Sequence, residues 1–462
     1  MIYLDTDTIV APATAVGGAL CVIRLSGEDA ITICDKIFRG RKPLAEAKTA
    51  TLHYGNIMDG DELVDDVVVS LFRAPHSYTT ENTVEISAHG SRYIVNKIIS
   101  LATSHGARIA QAGEFTRRAF LAGKLDLSQA EAVADIIASS SHASHAIAST
   151  QMRGAYSDEL RELREKLLHI GSLLELELDF SEEDVEFADR GELRALLNTI
   201  LNKVSSLADS FALGNALKEG VMVAIAGRPN VGKSTLLNRL AGEDRAMVSD
   251  IAGTTRDTIE VTTNIDGVLY RFIDTAGLHT TDDRLEQMGI ERTEQALRKA
   301  RIILWMQECE DNSCEDGYDL GCDFGNFTPT KEQTLIRIVN KIDLMSGNAR
   351  NAVTADCDTP TIYISAKSGE GVDKLIDMFK SLTNASAAYE GEVIVSSQRH
   401  YEALTQARIA LQAALSALDN GISSDLLSED IRQVMYHIGT ITGEITATEI
   451  LQSIFSKFCI GK

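Results

Sequence analysis

The octapeptide at residues 227–234, GRPNVGKS, has the residue types and spacing of a phosphate-binding loop, G-x-x-x-x-G-K-[ST]. Its glycines let backbone N–H groups close around phosphate oxygens, Lys233 can reach the β- and γ-phosphates, and the Ser234 hydroxyl suits Mg²⁺. A strand-like run at 221–226 precedes the loop and a helical run at 235–240 follows it, which is the context this loop requires. The sequence therefore predicts a nucleoside triphosphate site.

Three short motifs at later strand ends indicate which nucleotide binds. DTAG at 274–277 follows a strand-like run and puts the Asp274 carboxylate near the metal, as in the Walker-B position of GTPases. NKID at 340–343 follows another such run, and the Asp343 carboxylate can accept two hydrogen bonds from guanine, from N1–H and the exocyclic amine, a donor pair that adenine lacks. SAK at 365–367 completes a base-binding set of the kind seen in GTPases. The order of these motifs favours GTP over ATP.

The segment 249–257, SDIAGTTRD, stands where a switch I region belongs and is rich in hard oxygen ligands for cations. Thr255 resembles the switch threonine that binds Mg²⁺, and the alternative is a threonine-rich turn with no ligand role. A Ras-like GTPase would carry a water-orienting glutamine directly after DTAG, but Leu278 stands there. Because leucine cannot orient water, the catalytic group must come from elsewhere, and the nearby stretch 282–286 offers carboxylates.

Four successive segments differ in their hydrophobic periodicity. Residues 1–120 mix short β-rich runs with helical patterns, and 121–216 have apolar residues at helical spacing. Residues 217–384 alternate strands with helices, and 385–462 return to helical periodicity over 401–418 and 430–456. We therefore predict a multidomain α+β and α/β protein, with an N-terminal α+β domain, a discontinuous helical domain built from both flanks, and an inserted P-loop GTPase domain of the Ras-like type.

The composition limits the class of protein and its partners. The 462 residues are 44% hydrophobic and 24% charged, and the net charge of −23 argues against non-specific nucleic-acid binding through a generally basic surface. Any RNA contact must therefore use a local basic patch. The seven cysteines are odd in number and scattered, which is not a disulfide framework, and the sequence shows neither a signal peptide nor an apolar run of about 18 residues. These features predict a cytoplasmic protein that does not enter a membrane.

Motifs at both ends of the chain add a family resemblance. SYTTE at 77–81 is followed by Val84-Glu85 and His89-Gly90, GEFTRRAF stands at 113–120 and GKLDLSQAEA at 123–132, and the chain ends in FCIGK, with a terminal C-x-G-K pattern at 459–462. Together with the nucleotide motifs, these closely resemble the MnmE (TrmE) family of tRNA-modification GTPases over nearly all 462 residues.

The resemblance implies a K⁺-stimulated GTPase whose G domains pair across a homodimer. Such a protein works with the flavoprotein MnmG, in a heterotetramer or larger assembly, and installs an aminomethyl- or carboxymethylaminomethyl-type group at C5 of the wobble uridine of certain tRNAs. It also implies that the dimeric N-terminal domain binds a tetrahydrofolate one-carbon derivative, 5,10-methylenetetrahydrofolate, with 5-formyltetrahydrofolate as an analogue. Glycine and ammonium both stay open as the nitrogen source.

The motifs and the resemblance together predict the site residues. The residues expected to contact GTP are Asn230, Val231, Gly232, Lys233, Ser234, Thr235, Ser249, Asp250, Ile251, Ala252, Gly253, Thr254, Thr255, Asp274, Thr275, Ala276, Gly277, Asn340, Lys341, Ile342, Asp343, Ser365, Ala366 and Lys367. Ser234 and Thr255 would bind Mg²⁺, and the resemblance selects Asn230, Ser249, Ile251 and Thr254 for K⁺.

The resemblance also selects residues outside the nucleotide motifs. The folate-binding set would be Arg24, Glu81, Lys124 and Lys462. Without the family resemblance, Arg24 and Lys124 would be interpreted as exposed solvated cations. Alignment on the DTAG motif places the catalytic glutamate on Glu286, with Asp282 and Asp283 as competing candidates, and the terminal pattern makes Cys459 a second catalytic candidate whose part in the chemistry stays open.

Two alternatives remain at this point. A regulatory GTPase switch of the ribosome-assembly type would control binding and perform no chemistry on RNA, but it would have no use for Cys459 or for a folate-type N-terminal domain. The acidic stretch 307–325, with three cysteines, is predicted to be a solvated variable loop, and a metal site there is disfavoured because its cysteines lack C-x-x-C spacing.

Overall fold

The computed structural model of the chain describes residues 7–179, 190–243, 260–274, 294–308, 328–330, 333–344, 359–383, 391–445, 448–456, 458–459 and 461. The chain divides into two compact units. One comprises 1–134, 151–193 and 413–462, and the other comprises 135–150 and 194–412. None of the helices in the described ranges is long and apolar enough to cross a membrane.

The first unit contains a seven-stranded sheet in the order β3-β4-β5-β6-β2-β1-β7. Its neighbouring strands are antiparallel except for the parallel pair β1 and β7. The strands are β1 (Ile9–Pro12), β2 (Leu20–Ser26), β3 (Phe38–Gly40), β4 (Thr51–Asp59), β5 (Glu62–Phe72), β6 (Thr83–His89) and β7 (Arg108–Ile109), and the helices that pack on them are α1 (Ala30–Ile37) and α2 (Arg92–Ser104).

Alternating side chains give this sheet two different faces. On β5, Val67 is buried in the core shared with α1 and α2, whereas its neighbour Val68 is exposed on the opposite face. Tyr54 on β4 stands directly opposite Val68. The same face exposes Leu20, Leu52 and Tyr54 by 65%, 72% and 71%. Within the described ranges, therefore, α1 and α2 pack on one face of the sheet, and the other face is open at these residues, while Phe115 packs on it beside Arg24 and β1.

Helices follow this sheet, as the three- and four-residue spacing predicted. They are α3 (Glu114–Leu121), α4 (Leu127–Ala138), α5 (His142–Met152), α6 (Ala155–Asp179), α7 (Arg190–Asp209) and α8 (Phe211–Glu219). The predicted apolar stripe of α6, from Leu160 to Leu174, is buried. In the first unit, Glu177 near the end of α6 is buried and accepts hydrogen bonds from Arg190 at 2.9 Å and Ser424 at 2.8 Å. Contacts of this kind fix the helix ends against one another.

The second unit contains a six-stranded sheet in the order β13-β12-β11-β8-β10-β9, parallel except for β9 at one edge. Its strands are β8 (Val221–Gly227), β9 (Glu260–Ile265), β10 (Val268–Asp274), β11 (Ile302–Glu308), β12 (Thr334–Asn340) and β13 (Thr361–Tyr363), and the described helices that pack on them include α8, α9 (Lys233–Glu243) and α10 (Val372–Thr383). Because the parallel strands share one direction, their carboxyl ends and the loops that follow meet at one edge. The nucleotide motifs follow these strand ends.

The C-terminal part of the chain forms α11 (Gln398–Asp419), α12 (Ser424–Thr442) and α13 (Thr448–Ser456). The helical run predicted over 430–456 is therefore two helices, and the first begins earlier than predicted. Gly443 ends α12 in the left-handed conformation with φ +86°, and an added Cβ there would lie 2.8 Å from Leu127 Cβ. The mixed α+β and α/β fold class predicted from the sequence is confirmed.

Candidate nucleotide and folate sites

The phosphate-binding loop joins β8 to α9, and two residues with positive φ angles give it its shape. Gly232 has φ +99°, and an added Cβ would collide with the Asn340 side chain. Asn230 also has positive φ, at +66°. Lys233 begins α9, is 3% exposed, and donates from Nζ to the carbonyl oxygens of Gly227 at 2.6 Å and Arg228 at 2.8 Å. The loop therefore ends at the N-terminus of α9, where backbone N–H groups are available to bind phosphate.

Asn340 at the end of β12 connects three of the predicted motifs. Its Nδ2 donates to the Val231 carbonyl at 2.7 Å, and its Oδ1 accepts from the Ala366 N–H at 2.9 Å. Asp343 lies just beyond, in a short 3₁₀ turn (Ile342–Leu344), and its side chain is exposed. The buried amide therefore fixes the position of the base-binding loops against the phosphate loop, while the Asp343 carboxylate stays accessible.

Two basic residues hold this edge of the sheet in place. Arg239 on α9 donates to the carbonyl oxygens of Ala366 at 3.4 Å and Lys367 at 2.5 Å. Lys341 has φ +67° and forms an ion pair with Glu308 at the end of β11. The sequence motifs gave no signal for Arg239, because it lies outside them.

The N-terminal sheet positions the first predicted folate cation. Arg24 on β2 stands opposite Glu85 on β6 and pairs with its carboxylate at 2.8 Å. Its guanidinium carbon lies 5.4 Å from the ring centroid of Tyr78 and 5.5 Å from that of Phe115. Lys124 donates to the Ser77 carbonyl at 2.5 Å and lies 5.9 Å from the same Tyr78 ring. The Tyr78 ring thus contacts both predicted cations.

Glu81 belongs to a group of charged side chains drawn from distant parts of the sequence. Its carboxylate accepts hydrogen bonds from Arg118 at 3.0 and 3.3 Å and from the Ser26 hydroxyl at 2.7 Å. Arg118 is 3% exposed and also donates to Glu114 at 3.2 Å and Asp7 at 2.6 Å. The guanidinium thus holds three carboxylates at once, and Glu81 is the one among them predicted to bind folate.

The electrostatics of this group favour its charged forms. Burial alone would raise the pKa of Glu114, but the hydrogen bond from Arg108, the Gln111 N–H and both guanidinium charges hold that pKa below its usual value. Burial likewise works against the charged form of Arg118, yet the neighbouring carboxylates raise its pKa. Buried charges in this state depend on their partners, so removing one partner is costly.

The C-terminal segment lies against the same sheet. Phe455 and Phe458 pack with Leu127 in a small apolar core, and an added Cβ at Gly113 would lie 2.7 Å from the Phe455 carbonyl oxygen. At Gly461 an added Cβ would collide with the Pro12 carbonyl at the end of β1. Cys459 lies between these two points of contact and is exposed.

Comparison with known proteins bears on the whole chain. The family model described as the MnmE helical domain matches residues 127–459, and the one described as the GTP-binding protein TrmE N-terminus matches residues 8–124. A tRNA modification GTPase MnmE of Bacteroides fragilis is 50% identical over 99% of this chain and 100% of its own length. That of Porphyromonas gingivalis is 49% identical over 99% and 98%.

The chain belongs to the MnmE family of tRNA modification GTPases. The resemblance predicted from the sequence is confirmed, as is the enzyme class, a GTP hydrolase. Among solved structures, a variant of Aquifex aeolicus Era bound to GDP.AlF4- is 27% identical, with a TM-score of 0.25, over 41% of this chain and 65% of that one.

Some of the site residues predicted from the MnmE resemblance lie outside the described ranges. They are Ser249, Asp250, Ile251, Ala252, Gly253, Thr254 and Thr255 of the switch segment, Thr275, Ala276 and Gly277, the catalytic candidate Glu286 with Asp282 and Asp283, and the terminal Lys462. The backbone of Asp274 is described and ends β10, where it pairs with Ile225 of β8. Of the predicted K⁺ ligands, Asn230 is described, and its side chain is exposed at the phosphate loop.

Sequence reasoning missed the residues that position the MnmE folate candidates. Tyr78, Phe115 and Arg118 all lie inside motifs that carried the resemblance, at 77–81 and 113–120, but no pattern assigned them a role. Burial decides their importance, since Phe115 and Arg118 are almost fully enclosed. No pattern in the sequence marks Arg118 as buried, so spacing alone could not have found the group.

Proposed function

We propose that this chain is a K⁺-stimulated GTPase that works with the flavoprotein MnmG to modify the wobble uridine of certain tRNAs at C5. The group installed would be of the aminomethyl or carboxymethylaminomethyl type, and tetrahydrofolate would supply its one-carbon unit. The observation that carries the proposal is the presence, in a single member of the MnmE family, of a guanine-type nucleotide edge and a separate cation–carboxylate cluster in the N-terminal sheet.

The nucleotide site supports GTP binding and hydrolysis. Lys233 and the N–H groups of the loop would bind the phosphates, with Ser234 on Mg²⁺, and Asp343 would accept from guanine. A K⁺ ion held by Asn230 and the switch segment would offset the charge that develops in the loose phosphoryl-transfer transition state, a role that an arginine finger fills elsewhere. Glu286 would orient the attacking water, because Leu278 leaves no glutamine for that task.

The donor set in the N-terminal sheet fits a reduced folate. Arg24 and Lys124 present cations that would bind the carboxylates of the folate tail, and Glu81 presents acceptor oxygens suited to the N–H groups of the pterin amidine. Bound there, the folate would supply a one-carbon group. This chain would bind and orient it, with Arg118 and Tyr78 holding the three ligands in position.

The open face of the N-terminal sheet supports a homodimer. Leu20, Leu52 and Tyr54 are large apolar side chains that stand exposed on the face opposite α1 and α2, and Phe115 of α3 packs on this face beside Arg24 and β1. Large apolar side chains exposed on one face are a feature of protein interfaces. A second copy of the chain, in the cytoplasm, would bury this face.

The decisive experiment is mass spectrometry of wobble nucleosides from cells that lack the gene. Loss of the aminomethyl-type uridines, restored by the wild-type gene, is expected. If those nucleosides persisted and ribosome profiles changed instead, the regulatory switch would replace the enzyme, because a switch performs no chemistry on RNA.

Replacing Glu286 tests the catalytic assignment. Glu286→Ala should lower kcat for GTP on the order of 10²–10⁴-fold and leave nucleotide affinity nearly intact, as expected for a water-orienting group. Asp282→Ala and Asp283→Ala are the matched controls and should stay near wild type. Loss of turnover in either control, with Glu286→Ala unaffected, would move the assignment to that aspartate.

Replacing K⁺ with Na⁺ at constant ionic strength tests the cation. Hydrolysis should slow far more than GTP binding weakens, since the cation acts mainly on transition-state charge. Asn230→Ala should remove most of the difference between the two salts. Equal turnover of the wild type in both salts would refute the K⁺ site.

A further inference from the structure

A short basic segment stands out in this acidic chain. Residues 36–48 contain five cations and one carboxylate, a net charge of 5 − 1 = +4 within a protein of net charge −23. The cations are Lys36, Arg39, Arg41, Lys42 and Lys48, and the carboxylate is Glu46. We name residues 36–48 the basic loop. Neither the nucleotide site nor the folate candidates use it.

The backbone of the basic loop is fixed by hydrogen bonds. It runs from the end of α1 through β3, which pairs only with β4 at the sheet edge, and on to the start of β4. Asp35 accepts from the N–H groups of Leu44 at 2.6 Å and Ala45 at 2.9 Å. Arg73 donates to the carbonyl oxygens of Ala45 at 2.6 Å and Ala47 at 3.0 Å. The Asp35 and Arg73 side chains thus hold the backbone of the basic loop in place, and its cations stay exposed.

The five cations of the basic loop differ from the other cations of this sheet. All five are exposed, and none forms an ion pair with any described carboxylate. Arg39 donates only to carbonyl oxygens, at 3.3 to 3.4 Å. By contrast, Arg24, Lys97 and Arg108 in the same unit each pair with a carboxylate. In a chain with 67 acidic residues, a group of neighbouring cations left without carboxylates points to an external anion.

We propose that the basic loop binds the phosphate backbone of tRNA. The inference rests on the proposed function, which makes tRNA the substrate, and adds the surface that holds it. Lysine and arginine on a local patch supply most of the affinity for a nucleic acid, because each contact with a phosphate releases a condensed counterion. Because Asp35 bonds to the N–H groups of Leu44 and Ala45, the segment folds back on itself and concentrates its five cations on one compact part of the surface, where they face one stretch of RNA backbone.

The general acidity of the chain gives the basic loop a second effect. Carboxylates elsewhere repel a polyanion, so tRNA is held away from most of the surface and is attracted where the positive charge is concentrated. Contacts with phosphates position the RNA but carry no sequence information. The basic loop therefore sets the orientation of the tRNA, and selection of the wobble base lies elsewhere.

Binding of unmodified tRNA transcript to the purified full-length protein, measured over a series of KCl concentrations, tests the proposal. The double variant Arg41→Ala/Lys42→Ala removes two cations of the basic loop. Its affinity should fall on the order of 10–100-fold near 0.1 M salt, and the slope of log K against log salt should decrease by about 1.5–2. Arg41→Lys/Lys42→Arg keeps the charge and should retain both values.

The matched control is Arg161→Ala/Lys166→Ala, which changes the net charge equally on α6, where each cation already pairs with a carboxylate. It should bind tRNA as the wild type does. Equal losses in both double variants would show an effect of net charge alone and overturn the proposal. GTP hydrolysis without tRNA should be the same in all of them, since none touches the nucleotide edge.

The remaining outcomes separate this proposal from the proposed function. If wild type and the Arg41→Ala/Lys42→Ala variant bind tRNA equally, the basic loop is not the RNA surface, while the modification reaction stands. If instead the variant loses only its association with MnmG, the loop contacts an acidic protein surface and the proposal is wrong. Wobble nucleosides that persist after gene deletion would refute the proposed function itself.

Discussion

The nucleotide edge and the N-terminal cluster solve the problem of holding charged ligands in different ways. At the nucleotide edge, backbone conformation does most of the work: positive φ angles at Asn230 and Gly232 shape a loop, and one buried amide, Asn340, joins it to the base loops. In the N-terminal cluster, buried side chains position the charged groups, and Arg118 donates to the carboxylates of Glu81, Asp7 and Glu114. Contiguous motifs build the first, and distant residues build the second.

This difference indicates how each site should fail. In a site shaped by backbone conformation, replacing an exposed side chain should lower ligand affinity and leave the free energy of unfolding unchanged. A site built on buried charges loses stability together with binding, because each group depends on its partners. Variants that separate stability from binding therefore test the comparison directly.

The largest effect is expected from Arg118→Ala. It leaves Glu114 buried without one of its three arginine partners and removes the hydrogen bonds to Glu81 and Asp7, so the N-terminal sheet should lose roughly 3–5 kcal/mol. Binding of 5-formyltetrahydrofolate should be lost as well. Urea denaturation followed by circular dichroism gives the stability, and Arg118→Lys should rescue only part of it, because lysine lacks the guanidinium fork.

A built-in control accompanies that variant. The sequence has a single tryptophan, and Trp305 lies buried in β11 of the nucleotide sheet. Its fluorescence therefore reports on that sheet alone, and its urea midpoint should not move in Arg118→Ala. A shift of the Trp305 transition as large as that of the whole protein would show that the two regions do not fail independently.

Asp343→Asn should have the next largest effect, confined to recognition. Asparagine offers one acceptor oxygen and no charge, so GTP affinity should fall roughly 10–100-fold, the equivalent of one charged hydrogen bond. Xanthosine triphosphate should bind better, since its base carries an oxygen where guanine has the amine. Because Asp343 is exposed, the urea midpoint should stay unchanged. An unchanged preference for GTP over xanthosine triphosphate would contradict the base-site assignment.

The same contrast explains what the sequence predicted. The strand predicted at 221–226 is β8, and the motifs fall at the strand ends, because contiguous patterns encode local backbone structure. The helical run predicted over 430–456 is interrupted, since Gly443 ends α12 where its conformation and close packing allow no helix to continue. Periodicity does not register one glycine in an otherwise apolar pattern.

The cluster around Glu81 could not be predicted from spacing. Its partners Ser26 and Arg118 lie 55 and 37 residues away in sequence, and only the antiparallel pairing of β2 with β6 and the packing of α3 bring them together. The family resemblance supplied Glu81 but not its supports. The domain boundaries at 120, 216 and 384, the K⁺ ligands and Glu286 stay predictions.

Gly232→Ala should have a smaller effect, through the backbone. The new methyl group would meet Asn340 at a φ of +99°, a conflict that costs about 1–2 kcal/mol, so GTP should bind roughly 5–30-fold more weakly. Gly242→Ala is the matched control, because an added Cβ there, in the same helix region, meets nothing within 4 Å. It should bind GTP normally and gain slightly in stability. Equal weakening in both variants would show that loop geometry does not control affinity.

The smallest effect is expected at Tyr78, where two substitutions distinguish the contribution of the ring to folate binding from that of the hydroxyl. Its hydroxyl lies 2.9 Å from the Thr116 hydroxyl, and its ring lies against Arg24 and Lys124. Tyr78→Phe keeps the ring, so 5-formyltetrahydrofolate should bind within about twofold of wild type, whereas Tyr78→Leu loses the cation–π contacts and should bind roughly 2–5-fold more weakly. Tyr93→Leu, at an exposed position on α2, controls for loss of a tyrosine. If Tyr78→Phe weakened binding as much as Tyr78→Leu, the hydroxyl and not the ring would position the cations, and the N-terminal cluster would depend on hydrogen bonds at this point.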